Sequence, residues 1–339
     1  MTKQHTRVLA GDVGGTKTSL AIIEVAGTQL EVLAQEHYPS AAYASLDDVI
    51  REFTAAQNRT CDCAGFGIAG PVRDGRCDTT NLPWRVDARL LAKALGLRHA
   101  WLLNDLEANA RGISALQPDD LHTLSAGAPD ACGNASIIAA GTGLGQAGLF
   151  WDGTRHRPFA SEGGHSDFAP GSELEISLLH YLQQRYDHVS WERVISGRGL
   201  VDLHAFLAEH RRLETPAWLS EEMRNGDSAA AISRAAQAGR CPVCSEALDL
   251  FVRLYGVEAG NHALKIMATG GVYIGGGIAP RILDRLKGEN FLRGFRSKGR
   301  MEALLRSMPV RVILNEHTAL YGAALYAADA AKRIQGDAG

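Results

Sequence analysis

The sequence predicts an α/β protein made of two similar halves, and three observations carry that prediction. Residues 7–25, RVLAGDVGGTKTSLAIIEV, read as an apolar run, a tight Gly/Thr turn and a second apolar run. Residues 135–151, ASIIAAGTGLGQAGLFW, repeat the device. Around them, short apolar runs alternate with segments of helical spacing, the pattern of strands meeting helices. Two Gly/Thr hairpins, one opening each half, suggest a duplicated fold with a nucleotide clamped between the halves.

The elements follow in order. The first hairpin is joined by a third strand at 30–37. Residues 46–57 form a helix, because Leu46, Val49, Ile50 and Phe53 recur at helical spacing. AGFGIAG at 64–70 is a buried strand, stopped by Gly70 and Pro71. A helix over 86–95 follows the turn at Pro83. Residues 99–103 form a short strand with Asn104 and Asp105 at its C-terminal end, and a helix continues over 106–116. A polar stretch, 117–133, carries no element and leads to the second hairpin. Helices are predicted over 172–186, 198–211 and 228–239. A long one over 245–267 has Leu248, Phe251, Val252, Tyr255 and Leu264 on inner faces. A strand at 271–274 runs into glycines 275–277, and a helix starts at Pro280. Residues 310–314 form the last strand and 318–331 the last helix.

Composition narrows the class. At 339 residues, 45% hydrophobic and 22% charged, the chain is a globular protein long enough for two domains. A net charge of −3 offers no basic platform for nucleic acid. No apolar run reaches the ~18 residues of a membrane span, and the N-terminus has no apolar signal core. Six cysteines are too few for a disulfide scaffold. Cys61 and Cys63 are too close for easy bridging. Cys241 and Cys244 form a lone C-x-x-C, with no second pair to complete a four-ligand zinc site. The expected compartment is the cytoplasm.

The turn GDVGGTKT at 11–18 nearly matches a P-loop, but Thr16 stands where the second Gly belongs and a strand follows instead of a helix. A hairpin can still bind phosphate. Gly14 and Gly15 allow backbone N–H groups to point at an anion, Thr16 adds a hydroxyl and Lys17 a cation. Asp12 could hold a metal ion through water. The alternative is an ordinary tight hairpin. GTGLGQAG at 141–148 formally contains G-x-G-x-x-G, yet a strand again follows, so a second phosphate hairpin using Thr142 fits better than a Rossmann motif. Glycines 275–277 could line an adenosine pocket or serve close helix–sheet packing.

A polar cluster completes the picture. Asp105, at a strand's C-terminal end, is a natural general base or else a helix N-cap. SEGGH at 161–165 sets Glu162 and His165 around two glycines, and Glu192 lies in VSWERVISGRG. Together with Asn104 these side chains suit a polyhydroxyl ligand. Taken singly, Glu192 reads equally as a helix-surface charge and His165 as a satisfied loop histidine.

The blocks LNDLEA (103–108), AAGTGLG (139–145), SEGGHSDFAP (161–170), ERVISGRGL (192–200) and GGVYIGGGIAP (270–280) resemble, in order and over nearly the whole chain, bacterial glucokinases of the proteobacterial type. These share the actin/Hsp70/hexokinase ATPase core. The resemblance implies a duplicated, ribonuclease-H-like (actin-like ATPase) two-lobe fold with the active site in the interlobe cleft. It implies a small domain of 1–115 plus about 316–339, and a large one of 116–315. It implies that Asn104, Asp105, Glu162, His165 and Glu192 hold glucose, with Asp105 as base. Gly11, Asp12, Val13, Gly14, Gly15 and Thr16, with Thr142 and Gly143, would hold the phosphates of ATP, and Asp12 would hold Mg2+ through water. Gly276 and Gly277 would lie near the nucleoside. A homodimer is implied as well. Lys17 departs from close relatives, which often carry Asn there. SDFAP at 166–170 replaces the Cys-rich zinc motif of the related repressor/kinase group.

The expected reaction is ATP-dependent phosphorylation of glucose at its 6-hydroxyl, with the lobes closing on the sugar to exclude water. Two alternatives stand beside it. One is a kinase for another hexose, such as mannose, fructose or an N-acetylated amino sugar. The other is a sugar-sensing regulator, although the first strand starts too early to leave room for a DNA-binding helix-turn-helix before it.

Overall fold

The computed structural model describes residues 5–57, 59–79 and 82–337, and they form two compact units. The first comprises Met1–Asp120, Arg157–Ala160 and Asn315–Gly339. The second comprises Leu121–His156 and Ser161–Leu314.

In the first unit, β1 (Thr6–Val13) turns back into β2 (Lys17–Ala26), and β3 (Gln29–Pro39) extends the meander. Next come α1 (Leu46–Ala56), β4 (Cys63–Ile68), the short pair β5 (Arg76–Asp78) and β6 (Arg85–Asp87), α2 (Ala88–Ala94), β7 (Ala100–Asn104) and α3 (Asp105–Gly112). The sheet order is β3-β2-β1-β4-β7, antiparallel within the meander and parallel from β1 through β4 to β7. The central strands bury both faces, which is why they read as unbroken apolar runs. Leu9, Leu20 and Phe66 pack on one side with Val49, Ile50 and Phe53 of α1. Val8, Ala10 and Ile23 pack on the other side with Leu320, Ala324 and Ala328 of the C-terminal helix (Thr318–Asp337). The edge strand β3 is instead lined with Gln29, Glu31, Gln35 and Glu36, which keeps it from pairing further.

The second unit repeats this plan. It contains β8 (Leu121–Ser125), β9 (Ala135–Ala140) and β10 (Leu144–Trp151), and its sheet is edged by β11 (His156–Ser161), whose residues Arg157–Ala160 count with the first unit. The helices α4 (Glu173–Gln183), α5 (Gly197–Arg211), α6 (Ala217–Asn225), α7 (Ser228–Gln237) and α8 (Pro242–Ile266) follow. The unit ends with β12 (Gly271–Gly275), α9 (Leu283–Leu286), α10 (Glu289–Arg296), α11 (Glu302–Ser307) and β13 (Val310–Ile313). Its order is β11-β10-β9-β12-β13-β8. Antiparallel β10–β9 followed by parallel β9–β12–β13 matches the first sheet strand for strand, with β8 added antiparallel to β13. The duplication expected from the two hairpins is therefore a duplication of whole sheets. The core lies between this sheet and α5, α7, α8 and α10, around Trp191, Phe251, Tyr255, Phe291 and Phe295. No helix among the described residues is long and apolar enough to cross a membrane.

Several boundaries differ from the sequence expectation. The stretch expected to be featureless at 117–133 contains β8, whose hydrogen bonds come from β13, far along the chain. The helix expected at 86–95 begins only at Ala88, because Asp87 caps it and residues 85–87 pair with β5. The helix expected from Ser245 starts at Pro242, the first-turn position where proline costs nothing. The helix after Asp105 changes from α to 3-10 geometry after Gly112.

Candidate active site

In the first unit the site residues sit where strands end. Asp12 is the penultimate residue of β1, level with Gly67 on β4, while β7 ends at Asn104 and hands over to α3 at Asp105. Asn104 is the N-cap of α3. Its Oδ1 accepts the Leu106 N–H at 3.0 Å, and its Nδ2 donates to the Gly70 carbonyl at 3.2 Å. The Asp105 Oδ1 shares the same Leu106 N–H at 2.9 Å. Capping is therefore doubled, and α3 does not depend on Asp105 for its start.

Gly67 is a residue the sequence reading passed over as mere strand. A Cβ there would lie 2.8 Å from the Ala108 Cβ and 3.9 Å from both the Asp105 Cα and the Gly11 carbonyl oxygen. Only glycine lets α3 pack this closely on β4. Burial, then the neighbouring Asp105 carboxylate, push the Asp12 carboxyl up to about 6, against the opposing pull of the Lys17 ammonium. Two carboxylates that crowd one another are suitable oxygen donors for a hard divalent cation, which would relieve their repulsion.

The turn between β1 and β2 is held from below. Gly14 N–H donates to the Lys17 carbonyl at 3.0 Å, Ser40 Oγ donates to the Gly14 carbonyl at 2.8 Å, and Ser40 N–H donates to the Thr16 carbonyl at 3.0 Å. These bonds fix the turn's carbonyls on the protein side. Gly11 and Val13 are buried strand residues, whereas Gly15 is half-buried and Thr16 exposed. The Lys17 ammonium lies 3.5 Å from Glu316, an exposed pair of small energetic weight.

In the second unit the loop 141–143, the SEGGH turn and Glu192 lie side by side, joined by a hydrogen bond at Leu144 and by longer charged contacts at His165. Glu192 lies in a 3-10 turn, Trp191–Arg193, anchored by buried Trp191 edge-on to Phe168. Its Oε2 accepts the Leu144 N–H at 3.0 Å. Its Oε1 stands 4.0 Å from His165 Nδ1, and His165 Nε2 stands 4.0 Å from Glu162. Glu162 and His165 side chains are 76% and 60% exposed, so they can meet a ligand, while Glu192, at 28%, supports Leu144 and stays partly open to solvent. Gly141 N–H closes the loop on the Gly143 carbonyl at 2.9 Å, and Gly197 N–H donates to the Gly141 carbonyl at 2.9 Å. Thr142 is exposed between these fixed ends. The structure thus brings Thr142, Gly143, Glu162, His165 and Glu192 together in the second unit, while Asn104, Asp105 and the 11–16 turn belong to the first.

Behind the SEGGH turn lies a buried relay that the sequence did not reveal. Gln146, on β10, donates to Glu258 of α8 at 2.7 Å, and Asn261 donates to the same carboxylate at 2.9 Å. Burial raises the Glu258 pKa. A Cβ on Gly163 would fall 2.2 Å from the Gln146 Oε1, so this relay sets the seat of the turn that carries Glu162 and His165. At the end of β12, Gly276 has φ +82 and approaches the Ala140 carbonyl too closely for any side chain, whereas Gly141 and Gly277 have nothing within 4 Å of a built Cβ. Close packing explains Gly276, and open space at Gly141 and Gly277 leaves room for a ligand.

Comparison with known proteins places the chain in a family. The family model described as Glucokinase matches residues 9–330. A protein named Glucokinase from Nostoc punctiforme is 43% identical over 338 residues, covering 95% of this chain and 99% of that protein. One of the same name from Caulobacter vibrioides is 38% identical, covering 94% of each. The crystal structure of a glucokinase from an Antarctic psychrotroph superposes with a TM-score of 0.83 at 30% identity, covering 96% of this chain and 100% of that one. A ROK family glucokinase from Streptomyces griseus, solved in complex with glucose and AMPPNP, gives a TM-score of 0.65 at 21% identity, covering 95% and 99%. The two mixed sheets are those of the actin-like ATPase fold.

Proposed function

We propose a mechanism from the fact that this chain belongs to the glucokinase family and is a hexose phosphotransferase: the γ-phosphoryl group of ATP passes to the 6-hydroxyl of glucose, and Asp105 takes the hydroxyl proton. The observation that carries this reading is the pair of carboxylates at strand ends in the first unit. Asp105 stands close enough to Asp12 to raise its pKa, and Asp105 is not required for capping because Asn104 already caps α3.

Asn104, Glu162, His165 and Glu192 orient the sugar hydroxyls, so that attack is effectively intramolecular. The 11–16 turn, with Thr142 and Gly143, holds the triphosphate through backbone N–H groups and hydroxyls, which stabilise charge as it develops. The nucleoside lies along Gly276 and Gly277, next to the open space at Gly277 and Gly141. Asp12 would hold Mg2+ through water, and the ion, when bound, would supply charge neutralisation at the phosphates. The same reading makes the protein a homodimer of the cytoplasm, where ATP is supplied.

Asp105→Ala tests the assignment. Turnover falls by about 10² or more, the scale of a lost base, while calorimetric glucose affinity is kept. Near-normal turnover overturns the role of Asp105.

A further inference from the structure

The second unit buries a cluster that phosphoryl transfer does not use. His204 lies on α5, and Cys241 and Cys244 open α8. They are 2%, 2% and 0% exposed. One ring nitrogen of His204 and the two sulfurs all lie within 4.8 Å of one another, and no other group of three such ligands is gathered among the described residues. The sequence CPVC explains half of this. Cys241 is the N-cap of α8, its Sγ accepting the Cys244 N–H at 3.4 Å, with Pro242 in the first turn. A spacing of three on one turn puts both sulfurs on the same side, and a helix N-terminus favours thiolate. The other half comes from α5, which the sequence alone could not bring near.

His204 supplies an independent observation. Its Nε2 is buried with no hydrogen-bond partner, a rarity in folded proteins that calls for an explanation. That unpaired ring nitrogen is the atom an imidazole offers to a metal ion. We infer that His204, Cys241 and Cys244 form a binding site for one thiophilic d10 cation, represented by Zn2+, which clips α5 to the start of α8. One imidazole and two thiolates match such ions and not Mg2+ or Ca2+, which take oxygen. Three protein ligands leave one tetrahedral position for a small exogenous ligand. The cysteines bind as thiolates, so any thiol proton they carry is released to solvent on binding.

The test uses the full chain, reduced and stripped with a chelator. Zn2+ uptake is read by equilibrium dialysis with elemental analysis, and Co2+ serves as a spectroscopic stand-in. The site predicts one Zn2+ per chain and, with Co2+, thiolate-to-metal charge-transfer absorption. Cys241→Ser and Cys244→Ser abolish that absorption. His204→Ala weakens Zn2+ binding by at least the roughly 10–100-fold that loss of even an outer-shell partner costs. Cys132→Ser, at an exposed cysteine, changes nothing. Should the ligand variants fail to fold, wild-type stoichiometry and the cobalt spectrum decide alone. Absence of charge transfer in the wild type, or Zn2+ uptake unchanged by His204→Ala and Cys244→Ser, overturns the site.

Discussion

Two alanine substitutions in one loop, Gly143→Ala and Gly141→Ala, should have separable effects. Neither glycine has a positive φ, so backbone strain does not enter. A Cβ at Gly143 would lie 2.5 Å from Glu192 Oε2, the atom that accepts the Leu144 N–H at 3.0 Å. Normal contact needs roughly 3.5 Å, so the carboxylate must retreat by about 1 Å and its bond to Leu144 is lost. A hydrogen bond to a charged acceptor contributes about 1.5–3 kcal/mol. If that loss falls on the sugar-holding geometry of Glu192 and His165, the glucose KM rises roughly 10–100-fold. A Cβ at Gly141 meets nothing within 4 Å, so fold and glucose KM stay unchanged, and any effect falls on ATP. Coupled ADP-release assays, titrating glucose at saturating ATP and the reverse, separate the two. A glucose KM for Gly143→Ala within about twofold of wild type would refute the linkage between the loop and Glu192.

Two further predictions concern Asp12 and Glu258. Asp12 has a folded pKa of about 6 against an ordinary 3.8, so the folded state favours its protonated form. Ionising it costs stability on the order of 1–3 kcal/mol, absent below about pH 4 and fully present above about pH 6. Urea unfolding should therefore show Asp12→Asn more stable than wild type at pH 7 and equal to it at pH 4, with phosphoryl transfer lost. Equal stability at both pH values contradicts the raised pKa that burial first, and Asp105 second, give Asp12. Gln146→Leu removes one of two hydrogen bonds to buried Glu258 and the support behind Gly163. It should lower stability by about 1–3 kcal/mol and raise the glucose KM more than the ATP KM; equal changes in both would deny the relay a role in seating Glu162 and His165.

What the sequence could show depended on how local each cause was. Both hairpins, the α1 stripe of Leu46, Val49, Ile50 and Phe53, and the strand-to-helix handover at Asn104 rest on neighbours in the chain, and all were legible. Strand β8 was not, because LHTLS is half-exposed and owes its order to distant β13. Short α10 hid in the same way, since Phe291 and Phe295 are apolar toward α8 rather than within a long periodic run. Among candidate site residues, the grouping of Glu162, His165 and Glu192 could be read, but not that Glu192 already serves Leu144. Gln146, Glu258 and His204 gave no signal at all. Each is a single polar residue inside an otherwise ordinary strand or helix, and only packing reveals that its partner lies more than thirty residues away.

Sugar-dependent phosphoryl transfer from ATP, with glucose as acceptor, can be measured directly. ADP release should be measured with purified protein, ATP, Mg2+ and one sugar at a time: glucose, mannose, fructose and N-acetylglucosamine. Release should require sugar, show the highest kcat/KM with glucose, and yield glucose 6-phosphate one for one with ADP. ADP release indifferent to glucose, or a clear preference for another sugar, would contradict it.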